Sequence, residues 1–199
     1  MARRTTLFRE TQSLKQIISS LKIFADRKLR LYAVAVCRWS WELLGDERLR
    51  HAVEAAELYA DNLLNDEQLV DFRNDAAKAD WSIYNPYGFD AAVCCATSGY
   101  LAASGVSDEP HGCDPDIHKD ILVDIFGSDG GDFDAVWRNF RVLSIARQAY
   151  NTRDFSSLPI LADALDDVGC DNVELLEHLR SEASHCRGCW ALDSILGLT

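Results

Sequence analysis

Residues 26–44 read Asp26-Arg-Lys-Leu-Arg-Leu-Tyr-Ala-Val-Ala-Val-Cys-Arg-Trp-Ser-Trp-Glu-Leu-Leu44, and this stretch decides the fold class. Apolar side chains on one helical face recur in it every three or four residues, at Leu29, Tyr32, Val36, Trp39 and Leu43. Further apolar residues on the other faces predict a central, heavily buried helix. The run Leu31–Cys37 would suit a strand by itself, but the helical spacing around it favours one helix over residues 26–44.

The segments on both sides show the same helical spacing. Upstream, residues 14–21 predict a short opening helix. Downstream, Gly45 ends the central helix, Asp46 is the predicted N-cap of the next, and Asn65 with Gln68 resembles a capping box. The predicted inward-facing residues of the later helices include Leu49, Val53, Ala56, Ala60, Leu63, Leu69, Phe72, Ile117, Ile121, Ile125, Val136, Phe140, Leu161, Leu165, Leu175, Leu176 and Leu179.

No alternation of apolar and polar residues with hairpin turns occurs, so we expect an all-α protein, a bundle of about eight to nine helices. Gly169 closes one late helix, and Asp171 with Glu174 predicts a capping box for the next. The glycine-rich stretch 127–131 marks the predicted boundary between two parts. These are an N-terminal helical bundle, residues 1–126, and a small C-terminal helical part, residues 132–199, packed on the first as one unit.

Composition and charge exclude several classes of protein. Of the 199 residues, 48% are hydrophobic, which suffices for a packed core and excludes general disorder. The formal net charge of −12 argues against a nucleic-acid coat or a binder of anionic membranes. The first 50 residues are basic, with eleven Lys and Arg against five Asp and Glu. Such a segment suits docking on the acidic remainder or a solvated helix face, with a phosphate-binding face as the alternative.

The sequence also predicts the compartment. The first ten residues contain no apolar segment of the kind that a secretory signal has. The longest uncharged stretch, residues 91–107, is too short and too polar for a membrane-spanning helix. We therefore expect a cytoplasmic protein with no membrane attachment. The seven cysteines are an odd number and are expected to be free thiols, most of them buried.

Four blocks resemble a known group of proteins. They are RKLRLYAVAVCR (27–38), DERLRHAVEAAELYAD (46–61), LPILADALDDVGCDN (158–172) and RGCWALDSILG (187–197). In this order they resemble a large, paralogue-rich family of uncharacterised bacterial proteins with no assigned activity. The resemblance implies a bacterial, cytoplasmic, helical protein, and it transfers no site residues. The middle of the chain, residues 81–132, departs from the pattern of that group.

The C-terminal region contains residue types that bind zinc. Cys186 and Cys189 have the two-residue gap of a zinc knuckle, His185 precedes them, and Cys170 and His178 lie upstream. No second pair of ligands follows at the spacing of a zinc ribbon. A helix that packs Cys189 and Trp190 inward is therefore the alternative to a site formed by Cys170, His185, Cys186 and Cys189.

Other motifs favour structural roles over chemistry. A catalytic Cys113 with His111 or His118 would need a lowered thiol pKa, whereas the acidic residues around this loop raise it. The aspartates around the glycine-rich stretch, Asp124, Asp129, Asp132 and Asp134, lack the spacing and the closing Glu of an EF-hand loop, so caps and turns explain them better. The sequence has no phosphate-binding loop and no nucleophile elbow.

The aromatic residues Trp81, Tyr84, Tyr87 and Phe89 surround Asn85-Pro86 in a predicted loop. They are candidates for a recognition surface for a partner, although covering the core is the alternative. Because the sequence shows no cofactor motif and no set of catalytic groups, we expect a non-enzymatic helical module that binds another protein. The alternatives are a small zinc-binding helical protein that uses the C-terminal Cys/His cluster, and an acidic inhibitor that mimics nucleic acid. Direct binding of nucleic acid is not expected.

Overall fold

The computed structural model describes residues 13–21, 26–79, 94–95, 98–107, 115–127 and 133–198. These residues form ten α-helices and no strand, which confirms the all-α prediction. The helices are α1 (Leu14–Ser20), α2 (Asp26–Trp39), α3 (Glu47–Ala60), α4 (Asp66–Ala76), α5 (Gly99–Ser107), α6 (Pro115–Phe126), α7 (Phe140–Thr152), α8 (Leu158–Asp166), α9 (Val173–Arg180) and α10 (Trp190–Leu196). Short 3-10 turns span Trp41–Leu43, Ala135–Trp137 and Phe155–Ser157.

The chain divides into two compact units, residues 1–121 and 122–199. The dividing point lies inside α6, on the N-terminal side of the predicted boundary at 127–131. The last turns of α6 belong to the second unit because Asp124, at 2% exposure, bonds to residues near the C-terminus. Residues 128–132 themselves lie outside the described part of the chain.

Helix α2 is the centre of the N-terminal unit and packs along both α3 and α5. Most of its side chains are buried, including the predicted core residues Leu29, Tyr32 and Val36. The prediction of one helix over residues 26–44 is wrong at its end, because α2 stops at Trp39. The Ser40 hydroxyl donates to the carbonyl oxygen of Cys37 over 3.2 Å, and the chain then enters a 3-10 turn. The residues after Ser40 therefore no longer continue the apolar face of α2.

Several residues predicted to face inward are exposed. Trp39 is the last residue of α2, and Leu43 lies in the 3-10 turn after it, where the helical spacing no longer applies. Leu63 lies beyond the end of α3. The positive φ of 59° at Asn62 has already turned the chain out of the helical conformation, so Leu63 does not continue the buried face of α3. Phe140 is 89% exposed because it occupies the first turn of α7 and the inward face of that helix begins at Val142. The spacing of apolar residues therefore predicts which side chains face the core in the middle of a helix, but it predicts this poorly at the ends of a helix.

Local capping in the N-terminal unit follows the sequence. The Asp46 carboxylate accepts the backbone N–H of Arg48 over 2.9 Å at the start of α3. Asn65 and Gln68 form the predicted reciprocal capping box at the start of α4, with bonds of 2.9 and 3.0 Å. These bonds satisfy backbone donors that a helix leaves without partners in its first turn.

His118 of α6 is a buried titratable group of the N-terminal unit. It is 4% exposed, and its Nδ1 shares a hydrogen bond of 2.6 Å with the Tyr32 hydroxyl of α2. Burial lowers the pKa of His118 below its ordinary value of 6.5. The unfolded chain therefore takes up a proton at a higher pH than the folded chain does.

This linkage predicts a loss of stability on mild acidification. As pH falls below 6.5, the free energy of unfolding decreases until the pH reaches the lowered folded pKa of His118. His118→Asn keeps a hydrogen-bond acceptor near the position of Nδ1 and does not titrate. Urea unfolding at pH 7 and pH 5 should therefore show a smaller loss for the variant than for the parent protein. Equal losses in the two proteins would contradict the prediction.

Helices α7 to α10 form the core of the C-terminal unit. Its buried side chains include the predicted residues Leu161, Leu165, Leu175 and Leu179, together with Trp190. Gly169, at φ 80°, follows the end of α8 as predicted. The predicted capping box of Asp171 with Glu174 is wrong by one residue: Asn172 is the N-cap of α9, and its side chain accepts the N–H of Leu175 over 3.1 Å.

Among the helices that the structure describes, none combines the length and the apolar character that crossing a bilayer requires.

Candidate metal centre

Four side chains of metal-ligating types meet inside the C-terminal unit. Asp124 lies in α6, His178 in α9, His185 in the connection after α9, and Cys189 immediately before α10. One ligand atom from each residue takes part, and these four atoms all lie within 4.8 Å of one another. We call these four residues the Asp–His–His–Cys cluster.

Asp124 is the shared acceptor of the cluster. Its Oδ1 atom lies 2.7 Å from Nδ1 of His185 and 3.1 Å from Nε2 of His178. Its Oδ2 atom accepts the backbone N–H of Cys186 over 2.9 Å and faces the Cys186 Sγ at 3.3 Å. Burial by itself would raise the pKa of the Asp124 carboxyl, but the hydrogen bonds from His178 and His185 outweigh it and hold this pKa at about 2. Asp124 is therefore a carboxylate at neutral pH.

Cys189 supplies the soft ligand. Its side chain is fully buried, and its Sγ lies 3.2 Å from Nε2 of His178 and 3.9 Å from Nδ1 of His185. Burial and the neighbouring Asp124 carboxylate raise the pKa of the Cys189 thiol well above its ordinary value. The thiol thus stays protonated when no cation is bound, and a coordinated cation would displace the proton.

The two imidazole rings are held by packing on aromatic neighbours. Their ring centroids lie 4.9 Å apart in an edge-to-face arrangement, and His178 lies 4.8 Å from the Trp190 ring. The Nε2 atom of His185 is buried and has no hydrogen-bond partner in the described ranges. Burying such an atom costs about 1–3 kcal/mol. The Nδ1 atom of the same ring, in contrast, lies 2.7 Å from Asp124 Oδ1.

Hydrogen bonds alone satisfy this cluster poorly. A ring nitrogen carries at most one proton, yet Nε2 of His178 lies at bonding distance from both Asp124 Oδ1 and Cys189 Sγ. A single N–H cannot point at both atoms. Four ligands at about 2.0–2.3 Å from a tetrahedral zinc ion lie roughly 3.3–3.8 Å from one another. Four of the six separations are 2.7, 3.1, 3.2 and 3.9 Å, so a central cation would require Asp124 Oδ1 to move away from the two imidazole nitrogens by a few tenths of an ångström.

A glycine-dependent turn positions Cys189. The backbone N–H of Cys189 donates to the carbonyl oxygen of Cys186 over 3.1 Å. Gly188, the third residue of the turn, has φ 91°, as the third residue of a type II turn does, and glycine adopts this angle without strain. Arg187 anchors the turn to α7: its Nε donates to the Tyr150 carbonyl oxygen over 2.9 Å, and its guanidinium lies 4.6 Å from the Tyr150 ring centre.

A surface depression of about 490 Å³ lies beside the cluster. His185 lines it together with Phe155, Leu158, Leu179 and Arg180. An ion site that is otherwise buried needs an approach route, and this depression brings solvent to the His185 side of the cluster.

The structure brings together only part of the predicted zinc set. His185 and Cys189 belong to the cluster, whereas Cys186 lies beside it and contacts Asp124 through its N–H and Sγ. Cys170 is not a member of the group. Its buried side chain belongs to the hydrophobic core, because the chain folds back at the end of α8, where its N–H donates to the Leu165 carbonyl oxygen over 3.0 Å.

Asp124 is the member of the cluster that the sequence prediction missed. The prediction assigned it to caps and turns, but it lies inside α6 on the buried face. Asp134, from the same acidic group, is a cap as predicted, since its carboxylate accepts the Val136 N–H over 2.9 Å. His178 was recognised only as a neighbour of the predicted set. The sequence does contain a signal for both residues, because each is a polar side chain on the apolar face of a helix. Asp124 stands three residues after Ile121, and His178 stands three residues after Leu175.

Other predicted sites fall outside the described residues. These are the candidate partner-binding residues Trp81, Tyr84, Tyr87 and Phe89, and the loop with His111 and Cys113.

Fold and cluster together define an all-α protein with a buried Asp–His–His–Cys group in its C-terminal unit. Comparisons of the chain with protein-family models, with curated proteins and with solved structures give no match. The resemblance to a paralogue-rich bacterial family therefore stays a prediction, and the function has to be argued from the geometry.

Proposed function

We propose that the protein is a zinc-binding helical protein whose C-terminal unit holds one zinc ion on Asp124, His178, His185 and Cys189. The observation that carries this proposal is the convergence of four potential ligand atoms from separate elements within 4.8 Å, with Asp124 and Cys189 buried and both histidines half-buried. A chance group of exposed acidic residues would not combine a carboxylate, two imidazoles and a thiol.

The donor set selects the metal. One sulfur and two imidazole nitrogens disfavour calcium and magnesium, which prefer oxygen ligands. Zinc accepts sulfur, nitrogen and carboxylate oxygen together in a tetrahedron. An Asp124 carboxylate and a Cys189 thiolate supply two negative charges, which balance a divalent cation in a buried place. The set therefore fits Zn²⁺ in both donor type and charge.

The same geometry supports a structural role for the metal. Catalytic zinc sites keep one position open for water or substrate, whereas four protein ligands complete the tetrahedron. Asp124 and Cys189 are both almost fully buried, which leaves little access for a substrate. The zinc ion would tie α6, α9 and the start of α10 together. The protein-binding module stays a prediction, because its aromatic loop lies outside the described residues. The nucleic-acid mimic also stays a prediction.

Metal analysis of the purified full-length protein tests this proposal. After equilibration with zinc and removal of free metal, we expect one zinc ion per chain. Loading with Co²⁺ should give the visible absorption of a tetrahedral site together with a thiolate-to-cobalt band. Cys189→Ser should abolish that band, and His178→Ala should reduce the bound metal to a small fraction.

Two matched variants control for the loss of any cysteine. Cys170→Ser removes a buried thiol outside the cluster, and Cys186→Ser removes the thiol beside it, so both should retain one zinc ion per chain. Metal-free parent protein, or unchanged zinc binding in Cys189→Ser, would refute the proposed site.

A further inference from the structure

Cys186 is a thiol that the four-ligand zinc site leaves unused. It is partly exposed, its Sγ faces Asp124 Oδ2, and it begins the turn that ends at Cys189. The ends of a β-turn lie less than about 7 Å apart between their Cα atoms. A disulfide spans Cα separations of about 4.4–6.8 Å, so the turn already holds Cys186 and Cys189 at a distance that a disulfide can bridge.

We propose that Cys186 and Cys189 are a reversible oxidation site, at which a peroxide forms a disulfide and thereby releases the zinc ion. This inference rests on the proposed zinc site. The zinc-bound Cys189 thiolate is the nucleophile, and Cys186 is the resolving thiol next to it. Cys186 is the more exposed of the two cysteines, and its chain neighbour His185 lines the depression.

The reaction proceeds in two balanced steps. First, the Cys189 thiolate attacks one oxygen of hydrogen peroxide, which breaks the O–O bond, gives a sulfenic acid and releases hydroxide. Second, the Cys186 sulfur attacks the sulfenic sulfur, the S–S bond forms, and the departing oxygen leaves as water. The proton of the Cys186 S–H goes to this departing oxygen, which is a far stronger base than the Asp124 carboxylate that lies 3.3 Å from the Cys186 sulfur. The two thiols together lose two electrons, which the peroxide gains.

Disulfide formation removes one of the four zinc ligands. Cys189 can no longer coordinate as a thiolate, and the three remaining ligands hold zinc more weakly. A thiol reductant restores both cysteines and therefore the site. The core cysteine Cys170 has no part in this chemistry, because its side chain packs in the apolar core of the unit.

The test exposes zinc-loaded, full-length protein to hydrogen peroxide and then quenches with catalase. A chromophoric chelator measures the released zinc, and peptide mass spectrometry locates the disulfide. We expect loss of one zinc ion per chain together with a Cys186–Cys189 disulfide, followed by full reloading after treatment with dithiothreitol and zinc. Cys170→Ser, as the matched control, should behave like the parent protein.

Cys186→Ser separates this mechanism from plain oxidative damage. The reduced variant should still bind one zinc ion, but under peroxide it should form no disulfide. Its Cys189 should proceed to sulfinic acid, and dithiothreitol should restore no zinc binding. Two results would overturn the oxidation site and leave the zinc site intact. In the first, the parent protein keeps its zinc ion under peroxide with both thiols reduced. In the second, it loses the zinc ion while Cys186 stays unmodified. If the reduced parent protein binds no zinc, both proposals fail.

Discussion

Chelation of zinc from the full-length protein is expected to lower the free energy of unfolding of residues 122–199 by about 4 kcal/mol. This value compares the protein without zinc to the protein at a free zinc concentration of about 1,000 times the Kd. Only the folded unit brings together ligands that are spread from position 124 to position 189 of the chain, so the metal stabilises the folded state almost exclusively. For a unit of this size the loss corresponds to a decrease of roughly 15–30 °C in Tm.

Hydrogen exchange on the intact chain gives the sharpest measurement, since it reports each unit separately. Peptides that cover α9 and α10 should lose protection when a chelator is added. Peptides that cover α3 should keep theirs, because α3 lies in the other unit. The N-terminal unit thus serves as an internal control for unspecific effects of the chelator. Equal protection of α9 and α10 with and without zinc would contradict the prediction.

Two variants distinguish linkage to zinc from ordinary destabilisation. In Cys189→Ser the chelator should have no further effect, because the variant has already lost its zinc. In Cys170→Ser the mutation itself destabilises the core, yet the additional effect of the chelator should remain at full size. A chelator effect that persists in Cys189→Ser would place the metal elsewhere.

Helix formation was predictable because its causes are local. The spacing of apolar residues and the capping pair Asn65 and Gln68 act over three or four residues, and the structure shows both as the sequence indicates. Prediction failed where one residue changes the helical phase. Ser40 ends α2 through a bond to a backbone carbonyl, and Leu43 is then exposed despite its place on the apolar stripe.

The candidate site was predictable only in its local half. Cys189 follows Cys186 with the two-residue gap of a zinc knuckle and His185 directly precedes that pair, so local spacing suggests both as ligands. Asp124 lies more than fifty residues away in sequence, and its bond to His185 is a product of tertiary folding. A carboxylate on an apolar stripe signals that a partner must exist, since burying an unpaired charge is costly. The sequence does not say which partner it is.

The convergence adds to what the spacing of apolar residues indicates. That spacing predicts helices that pack through their apolar faces, and it gives no sign of polar groups gathered in the interior. The C-terminal unit instead combines an apolar core with a polar group of four at its edge. The two are compatible because the helical members each occupy a single position on an otherwise apolar face, as His178 does between Leu175 and Leu179, whereas His185 and Cys189 lie outside the helices.

Gly99 is a position in the N-terminal unit where a single methyl group should be costly. It is the first residue of α5, and its backbone N–H donates to the Asp26 carboxylate at the start of α2. A Cβ atom at Gly99 would overlap the carbonyl oxygen of Asp26 and lie 2.9 Å from its carbonyl carbon and 3.0 Å from the Arg30 nitrogen. All three atoms belong to the backbone of a central helix, so no side chain can move aside.

Gly99→Ala is therefore expected to lower the free energy of unfolding by about 3 kcal/mol or more, because α2 and α5 must separate to admit the methyl group. Gly45→Ala is the matched control: its Cβ would meet nothing within 4 Å. That variant should stay within about 0.5 kcal/mol of the parent protein or exceed its stability slightly, since alanine restricts the unfolded chain. Urea unfolding followed by circular dichroism measures both. If the two variants unfold at the same urea concentration, the close approach of α5 to α2 is wrong.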